Sequence, residues 1–422
     1  MSGSSKTKAP DHLGFLDGIR GGAALWVLLA HCMIWGGWYG VPLPSPKIAV
    51  DIFMVASGFL MVYQYRRREA REPMDSRRTA IRFWIRRFFR IAPIYYLCLL
   101  ILLVFWSAYS NGLATLQQVL PERWANLPIY VPANYHVGWL NTLMHATFLF
   151  GMVPKYAASN MSPDWSIGLE MQFYAVFPAL YLLFRRISWV GVLAVVILLS
   201  EGCNRWFAHL PGPVPGTYGL FAEPTFLLMK LPVFLIGMLV GETFCRARVA
   251  LVSSVLMSIT AMLVTAHYSI WVSVVTGMIL WLTWSGAGAG DHGHPIVYRW
   301  LTGLLSNRCA AFMADASYSV YLLHCFFISF VGGFLFRQPD FVALSAPLRV
   351  AVLAIIICPA VYLAAWLLHR VLEKPGIELG KRVINRWFPP VPVRAANDLI
   401  TAAPSGAPVS ISPVVLREGS NQ

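Results

Sequence analysis

Long apolar runs separated by short polar segments make up most of the chain, from about residue 20 to residue 369. Each run is close to the roughly 20 residues that an α-helix needs to cross a membrane core about 30 Å thick. The pattern predicts an all-α, polytopic integral membrane protein with ten spans, near residues 20–40, 48–65, 91–110, 166–184, 188–204, 224–243, 249–266, 268–286, 310–335 and 348–369.

The segments outside these spans define the predicted domain organisation. Residues 1–12 form a cytoplasmic tail, and residues 13–388 form the ten-helix membrane domain. Residues 389–422 lack periodicity, and we expect them to be a disordered cytoplasmic tail. Residues 111–165 form a long outer loop, whose apolar stretch at 140–153 is too short to cross the membrane.

The composition agrees with a membrane protein. Hydrophobic residues make up 57% of the chain and charged residues 12%, whereas soluble domains average about 25% charged residues. This excludes a water-soluble enzyme, a disordered chain and a small disulfide-linked scaffold. The 7 cysteines form no CxxC motif and lie mostly in apolar runs. They are therefore expected to be buried, reduced thiols.

The net charge of +14 is explained by membrane topology. If both termini are cytoplasmic, most lysines and arginines fall on the cytoplasmic side, including the cluster between residues 66 and 90. The positive-inside rule favours this orientation. We therefore expect the lipid bilayer as a partner, and no nucleic acid.

Ionisable residues inside the spans are the first candidates for function, because they are costly in a membrane and usually face a cavity or a partner. Arg20 and His31 are eleven residues apart, which places them on one helix face with about 16 Å between them. A neutral imidazole at mid-membrane depth can take a proton from a hydroxyl. The alternative is a structural histidine that is hydrogen-bonded to a neighbouring helix.

Two acidic residues lie near the outer ends of predicted spans. Asp51 precedes Ser57 in the second span; it could orient a histidine, bind an acceptor hydroxyl, or simply stabilise a helix N-terminus. Glu170 shares a helix face with Ser166 and Tyr174 and lies inside the apolar region.

The ninth span carries a similar pattern. Ser317, Tyr321 and His324 share one face, and His324 falls in the outer half of the membrane. His31, Asp51, Glu170 and His324 thus reach similar depths on four different helices. This convergence predicts a common site.

Arginines repeat every fourth residue between the second and third spans, at Arg78, Arg82, Arg86 and Arg90, with Arg87 beside them. On a helix they form one stripe of guanidinium groups, which suit phosphate oxygens. Either a phosphorylated cytosolic cofactor or anionic lipid headgroups would satisfy this stripe.

Other motifs are weaker. The His292–Gly293–His294 tract is interpreted as a loop, and His136 and His145 as structural or acceptor-contacting residues. No phosphate-binding loop or GxSxG motif is present. We therefore expect no metal site and no soluble hydrolase triad.

Several motifs together resemble the membrane acyltransferase 3 family. They are the LDGIRG segment with His31, the VDIFMVASGFL run, the RRFFRIAPIY segment, WSIGLEMQFY, SYSVYLLH and the Glu373–Lys374–Pro375 tripeptide. The resemblance covers about residues 13–380. It implies a ten-helix protein of the bacterial inner membrane that moves acyl groups, often acetyl, from acyl-CoA to hydroxyls of glycans, lipid-linked sugars or glycosylated small molecules.

The resemblance also implies roles for individual residues. It implies that His31 is essential beside Arg20 and that Arg87 and Arg90, with Arg86, contact the phosphates of CoA. Glu170 matches a family carboxylate. We expect acyl-CoA as a co-substrate and no tightly bound cofactor. From the residue pattern, we expect Asp51 to assist His31 and the acceptor to contact Ser57, Trp165, Tyr174 and His324.

The sequence leaves open two mechanisms and two classes of function. His31 acts either as a general base or as a transient acyl carrier, oriented by Glu170 or Asp51. A secondary transporter with a proton-linked histidine and glutamate site is the competing function. The sequence leaves open the acceptor, the acyl chain and the oligomeric state.

Overall fold

The computed structural model describes residues 13–38, 45–121, 138–160, 163–187, 189–212, 219–246, 269–288 and 294–389, with isolated positions between 253 and 263. The predicted tail at 1–12, nearly all of the tail at 389–422, most of the predicted span at 249–266 and the centre of the outer loop lie outside the described residues. Within the described ranges the regular structure is helical, which confirms the predicted fold class.

Thirteen helices are named here in chain order within the described ranges. They are α1 (Gly14–Gly36), α2 (Pro46–Arg68), α3 (Arg77–Val119), α4 (Trp139–Ala146), α5 (Trp165–Arg186), α6 (Trp189–Ala208), α7 (Leu227–Arg246), α8 (Ile270–Gly288), α9 (Ile296–Leu305), α10 (Arg308–Phe327), α11 (Pro339–Ala343), α12 (Ala346–Leu368) and α13 (Lys374–Trp387). Helix α10 continues through a π turn (Ile328–Gly332) to Leu335, and another π turn (His369–Glu373) joins α12 to α13.

Eight helical segments of the described chain are long and apolar enough to cross a membrane, and the protein is therefore a multi-pass membrane protein. They correspond to eight of the ten predicted spans. The predicted span at 268–286 matches α8, whose described apolar part, Ile270–Gly286, is shorter than this criterion requires.

Helix α3 differs from the sequence-based prediction at both ends. A span was predicted at 91–110, but α3 has 43 residues, and its φ and ψ angles depart from helical values at Phe105. The predicted arginine stripe is thus continuous with the span, and the predicted outer loop begins after Val119 rather than at residue 111. The apolar stretch after residue 139 forms only the 8-residue α4, as its length predicted.

Large apolar side chains on the outer surface mark where lipid contacts the bundle. Leu198 on α6 and Ile355 on α12 are each 73% exposed. In water, an apolar surface of this kind would drive association of the protein, whereas in a membrane the lipid tails solvate it.

Glycines set the tightest helix contact in the bundle, between α2 and α7. A β-carbon at Gly58 would overlap the backbone oxygen of Phe234, and one at Gly237 would overlap the backbone oxygen of Val55. Small residues allow this close backbone approach in membrane proteins. The contact holds α2, which carries Ser57, at a fixed distance from α7.

We predict that Gly237→Ala destabilises the protein by about 1–3 kcal/mol, because the added methyl group forces the two helices apart. Gly22→Ala is the matched control, since nothing lies within 4 Å of the position of its added carbon. Alanine is the better helix former, so this control keeps or raises stability. Thermal unfolding in detergent measures both, and equal melting temperatures for the two variants would contradict the packing argument.

Candidate active site

A cavity of about 770 Å³ lies inside the bundle between α1, α2, α3, α5 and α10. We call it the central cavity. Its polar lining comes from helices far apart in sequence: Arg20, Ser57, Arg87, Arg90, Ser166, Glu170, Tyr174, Ser317, Tyr318 and Tyr321. Six of these residues belong to the predicted site, so the structure brings together side chains that the sequence placed on four separate helices.

Glu170 is the carboxylate that lines the central cavity. The hydroxyl of Tyr174, one turn further along α5, donates a short hydrogen bond to Glu170. The hydroxyl of Ser57 on α2 donates a second, at 3.4 Å. These two contacts fix the position of the Glu170 side chain against α2.

Three guanidinium groups face the same cavity. Arg20 donates to the hydroxyl of Ser317 at 3.4 Å. The buried Arg87 donates to Gln64 at 2.8 Å and lies over the ring of Tyr174, 5.3 Å from its centroid. Arg90 completes the group. These contacts preorganise the cations without neutralising them, because Ser317, Gln64 and the ring are uncharged.

A second cavity of about 1220 Å³ adjoins the first at the end of the bundle where α2 finishes and α3 begins, which we call the arginine-rich end. We call this cavity the vestibule. Met61, Arg87 and Arg90 line both cavities. The other charged residues that line the vestibule are Arg67, Arg68, Glu72, Arg86 and Lys381. Positive charge therefore exceeds negative charge along the combined lining.

Glu72 organises the arginines on the vestibule wall. It accepts two hydrogen bonds from Arg86, at 2.7 and 3.2 Å, and lies 3.5 Å from Arg82. Burial alone would raise the pKa of Glu72, but the bonds and charges of Arg86, Arg82 and Arg68 outweigh burial and hold this pKa below its usual value.

From Arg82 onward, the arginine stripe of α3 faces the protein, whereas Arg78 at its start is exposed. Arg82 and Arg87 are buried, whereas Trp84 and Phe88 are exposed on the opposite side of the helix. Arg82 also donates to the backbone oxygen of Phe388 at 2.8 Å, which ties the C-terminal helix α13 to the vestibule. This direction favours an anionic ligand in the vestibule over lipid headgroups for these residues.

His31 and His324 form a close pair between α1 and α10. Their ring centroids are 4.7 Å apart. The Nδ1 atom of His31 lies 2.8 Å from the backbone oxygen of Val27, and that of His324 lies 2.5 Å from the backbone oxygen of Tyr321. Since a carbonyl oxygen only accepts, each Nδ1 carries the proton and each Nε2 has a lone pair, which in His324 faces the thiol of Cys325 at 3.4 Å.

Tyr321 separates this histidine pair from the central cavity. It lines the cavity, and its ring centroid is 5.8 Å from that of His324. Its hydroxyl accepts a hydrogen bond from Ser166 at 2.8 Å and donates to the backbone oxygen of Pro163 at 2.7 Å. His31 therefore lies beyond the wall of the cavity, three turns along α1 from Arg20.

The comparison with known proteins decides the family. The family model for an acyltransferase domain, that of the acyltransferase 3 family, matches residues 13–370. The chain belongs to this acyltransferase family. The resemblance inferred from the sequence motifs is thereby confirmed.

Individual relatives are more distant. The peptidoglycan O-acetyltransferase OatA of Listeria monocytogenes is 29% identical over 217 residues, covering 48% of this chain and 29% of the relative. Protein 2 in the picA locus of Rhizobium radiobacter is 27% identical over 169 residues, covering 40% and 82%. The O-acetyltransferase OatA of Staphylococcus aureus is 25% identical over 208 residues, covering 47% and 30%. The chain thus spans less than a third of the two OatA proteins. No solved structure matches it.

The structure records other partners for the two carboxylates that were predicted to orient His31, and their role in the chemistry stays a prediction. The side chain of Asp51 binds Lys230 of α7 through both oxygens, at 2.8 and 3.0 Å, and Glu170 binds Ser57 and Tyr174. Because Asp51 compensates a lysine inside a span, its position is explained by charge pairing. In the described residues, the groups that contact His31 are the oxygen of Val27 and the ring of His324.

The remaining predicted residues lie at the edges of the site. Trp165 is buried as the first residue of α5, outside the described lining of the central cavity. Arg86 lines the vestibule. One cluster of potential metal ligands occurs among the described residues, formed by His31, His324 and Cys325, with ligand atoms within 4.8 Å of one another. The thiol of Cys325 lies 3.4 Å from Nε2 of His324, so a hydrogen bond accounts for their contact.

Sequence reasoning missed several polar residues of this region. Gln64 and Tyr318 were not considered, although Gln64 is the partner of Arg87 and Tyr318 lines the cavity. Glu242 was also missed; it is fully buried on α7 and binds Arg66, with one contact at 3.1 Å. An acidic residue within an apolar run was the visible signal.

We predict that Asp51→Asn destabilises the protein by roughly 3–5 kcal/mol, because it leaves Lys230 buried without its partner. The double variant Asp51→Asn with Lys230→Met removes both charges and should recover both thermal stability and activity. Thermal unfolding and activity measured on the same preparations test this. Recovered stability with activity still lost would show that Asp51 acts in the chemistry.

Proposed function

We propose that this protein is an acyl-CoA-dependent O-acyltransferase. It would move an acyl group, most simply acetyl, from CoA bound at the arginine-rich end to a hydroxyl of a glycan or glycoside. The observation that carries the proposal is that Arg87 and Arg90 line both the vestibule and the central cavity. A donor with a phosphorylated head and a narrow arm fits a wide basic vestibule that leads to a smaller buried cavity.

The electrostatics support an anionic donor. Seven cationic residues and two carboxylates line the two cavities together. Asp17, one turn before Arg20, adds a further negative charge near that arginine, and the lining still keeps an excess of positive charge. Guanidinium groups bind phosphate oxygens through paired hydrogen bonds, and burial strengthens these bonds.

The proposed donor position follows from this charge distribution. The phosphates of CoA bind Arg86, Arg87 and Arg90, and the pantetheine arm enters the central cavity along Arg20. The thioester then lies near the wall formed by Tyr321, with the histidine pair beyond it. Movement of Tyr321 would let the thioester reach His31. Nε2 of His31 is the reactive atom there, because it keeps a lone pair.

Two chemical routes remain for the transfer. In the first, Nε2 of His31 takes the proton of the acceptor hydroxyl, the alkoxide attacks the thioester carbon, and CoA leaves as the thiolate. In the second, Nε2 attacks the thioester carbon, the carbon–sulfur bond breaks and CoA leaves as the thiolate. The acceptor hydroxyl then takes the acyl group from the imidazole, and its proton passes to the thiolate. In either route His324 stands beside the imidazole and can share its proton.

The acceptor and the location follow from the relatives and the charge pattern. The names of two relatives describe O-acetyltransferases, one of them acting on peptidoglycan. We propose a glycan, a lipid-linked sugar or a glycosylated small molecule as acceptor. The arginine-rich end would face the cytosol of a bacterium, with the protein in its inner membrane, since basic residues favour the cytoplasmic side.

We predict that His31→Ala removes an acyl-sized mass difference from the glycans or glycosides of expressing cells. The wild type should show this difference at equal membrane abundance of the two proteins. Mass spectrometry of surface glycans and small glycosides measures the difference. Identical acylation by both proteins would remove His31 from the chemistry, and loss of proton-coupled uptake without any acyl product would indicate a transporter.

We predict that Arg90→Gln raises the KM for acetyl-CoA by roughly 10- to 100-fold, because a charge-assisted hydrogen bond contributes about 1.5–3 kcal/mol. Arg71→Gln is the matched control, because Arg71 is exposed at the same end of the bundle. Steady-state kinetics on purified protein in detergent test the pair. Equal KM values for both variants would show that the donor does not bind in the vestibule.

A further inference from the structure

The segment that precedes α5 contains a serine, a histidine and an aspartate in hydrogen-bonded order. Oγ of Ser159 lies 3.0 Å from Nε2 of His145, and Nδ1 of His145 lies 2.9 Å from Oδ2 of Asp164. This is the connectivity of a nucleophile, its base and the group that orients the base. None of the three lines the described parts of the central cavity or the vestibule.

The hydrogen bonds determine which nitrogen of His145 is free. A carboxylate only accepts, so Nδ1 carries the proton that Asp164 accepts, and Nε2 presents its lone pair to Ser159. The imidazole is stacked on Phe150, with ring centroids 4.2 Å apart and planes 10° from parallel. This stacking holds the ring plane in which both contacts are made.

Burial strengthens the pairing of the base with its carboxylate. His145 is fully buried, and Ser159 and Asp164 are 6% and 4% exposed. The ion pair that the described residues give Asp164 is with His145. A buried carboxylate at this position stabilises the imidazolium that forms when the base accepts a proton.

The hydroxyl of Ser159 has three acceptors within reach. Besides His145, they are Oδ1 of Asn141 at 2.5 Å and the backbone oxygen of Tyr156 at 2.9 Å. The single proton reaches His145 by rotation about the Cβ–Oγ bond. The competing explanation is that these hydrogen bonds only stabilise the segment, and the experiment must separate this structural role from catalysis.

A small cavity adjoins this cluster. Asn160 and Asp164 line it together with apolar side chains of α3 and α10, namely Cys98, Leu99, Leu102, Leu322 and Phe326, and the ring of Tyr95. The cavity is therefore a small, mostly apolar space beside the carboxylate of the cluster.

The cluster is connected to the wall of the central cavity through a four-residue stretch of chain. Asp164 contacts His145, while its neighbours Pro163 and Ser166 hold the hydroxyl of Tyr321. Movement of Tyr321 therefore acts on the same stretch that carries the carboxylate of the cluster.

We propose that Ser159 is a second nucleophile of this protein and carries the acyl group as an ester. Oγ of Ser159 attacks the carbonyl carbon of the acyl thioester, and its proton passes to Nε2 of His145. The carbon–sulfur bond breaks, and CoA leaves as a thiolate that takes the proton from His145. An acceptor hydroxyl, or water, then cleaves the ester through the same base. The thioester donor in this step rests on the proposed function.

The test is acid-quenched labelling of the purified full-length protein. The protein is mixed with acetyl-CoA or with p-nitrophenyl acetate, quenched in acid within seconds, digested and examined by peptide mass spectrometry. We expect an acetyl mass on the Ser159 peptide that survives acid and is removed by alkali. An acyl-histidine at His31 would be lost during this treatment, so the two carriers are distinguishable.

Variants separate chemistry from structure. Asp164→Asn should lower the acetylation rate at Ser159 by at least about 100-fold, since the base loses its orientation. Thr147→Ala is the matched control, because it removes an exposed hydroxyl that bonds the backbone oxygen of Leu143, and it should keep acetylation within a few-fold. Ser159→Cys keeps a nucleophile and should be acetylated at the same position. Thermal unfolding checks that each variant is folded.

The possible outcomes either support or overturn the inference. Acetylation of Ser159 by p-nitrophenyl acetate but not by acetyl-CoA would support Ser159 as a nucleophile and contradict acetyl-CoA as its donor. Acyl transfer from acetyl-CoA to a glycan without any acetyl on Ser159 would overturn the inference and keep the proposed function. Absence of labelling by both donors in folded wild-type protein would overturn the inference and leave the cluster with a purely structural role.

Discussion

Charge compensation inside a membrane is the constraint on which the rest of this structure depends. A charged side chain in a membrane interior needs a partner or a polar ligand. Lys230 has Asp51, and Arg66 has Glu242. The linings of the central cavity and the vestibule depart from this balance, because they hold more guanidinium groups than carboxylates. The protein thus keeps a buried region that an anionic ligand would neutralise.

Close helix packing gives this region its shape. Glycines let α2 contact α7 backbone to backbone, which fixes Ser57 beside Glu170 of α5. Helix α3 continues without a break from the arginine stripe into the bundle, so one helix positions both the vestibule wall and Arg90. A rigid frame of this kind holds several like charges at fixed distances, which flexible segments cannot do.

Helix periodicity predicted much of the site, but it did not predict contacts between residues that are far apart in sequence. Arg20, Glu170 and Ser57 were identified from depth and helix face, and they meet in one cavity. The pairing of Asp51 with Lys230 was not predicted, because the two residues are 179 positions apart in sequence and a single sequence carries no signal for that contact. The cluster of Ser159, His145 and Asp164 was not predicted for a related reason: His145 lies on the short helix α4, whereas Ser159 and Asp164 lie in the irregular segment after it, which has no periodicity.

The proposed function requires that a phosphorylated acyl donor enter through the arginine-rich end and reach the central cavity. The most direct measurement is an experimental structure of the protein with a non-hydrolysable thioether analogue of acetyl-CoA. The account predicts phosphate oxygens within hydrogen-bond distance of Arg87 and Arg90, and the thioether in the central cavity near Arg20 and Tyr321. An analogue bound at any other surface, with the vestibule arginines contacting only protein, would contradict it.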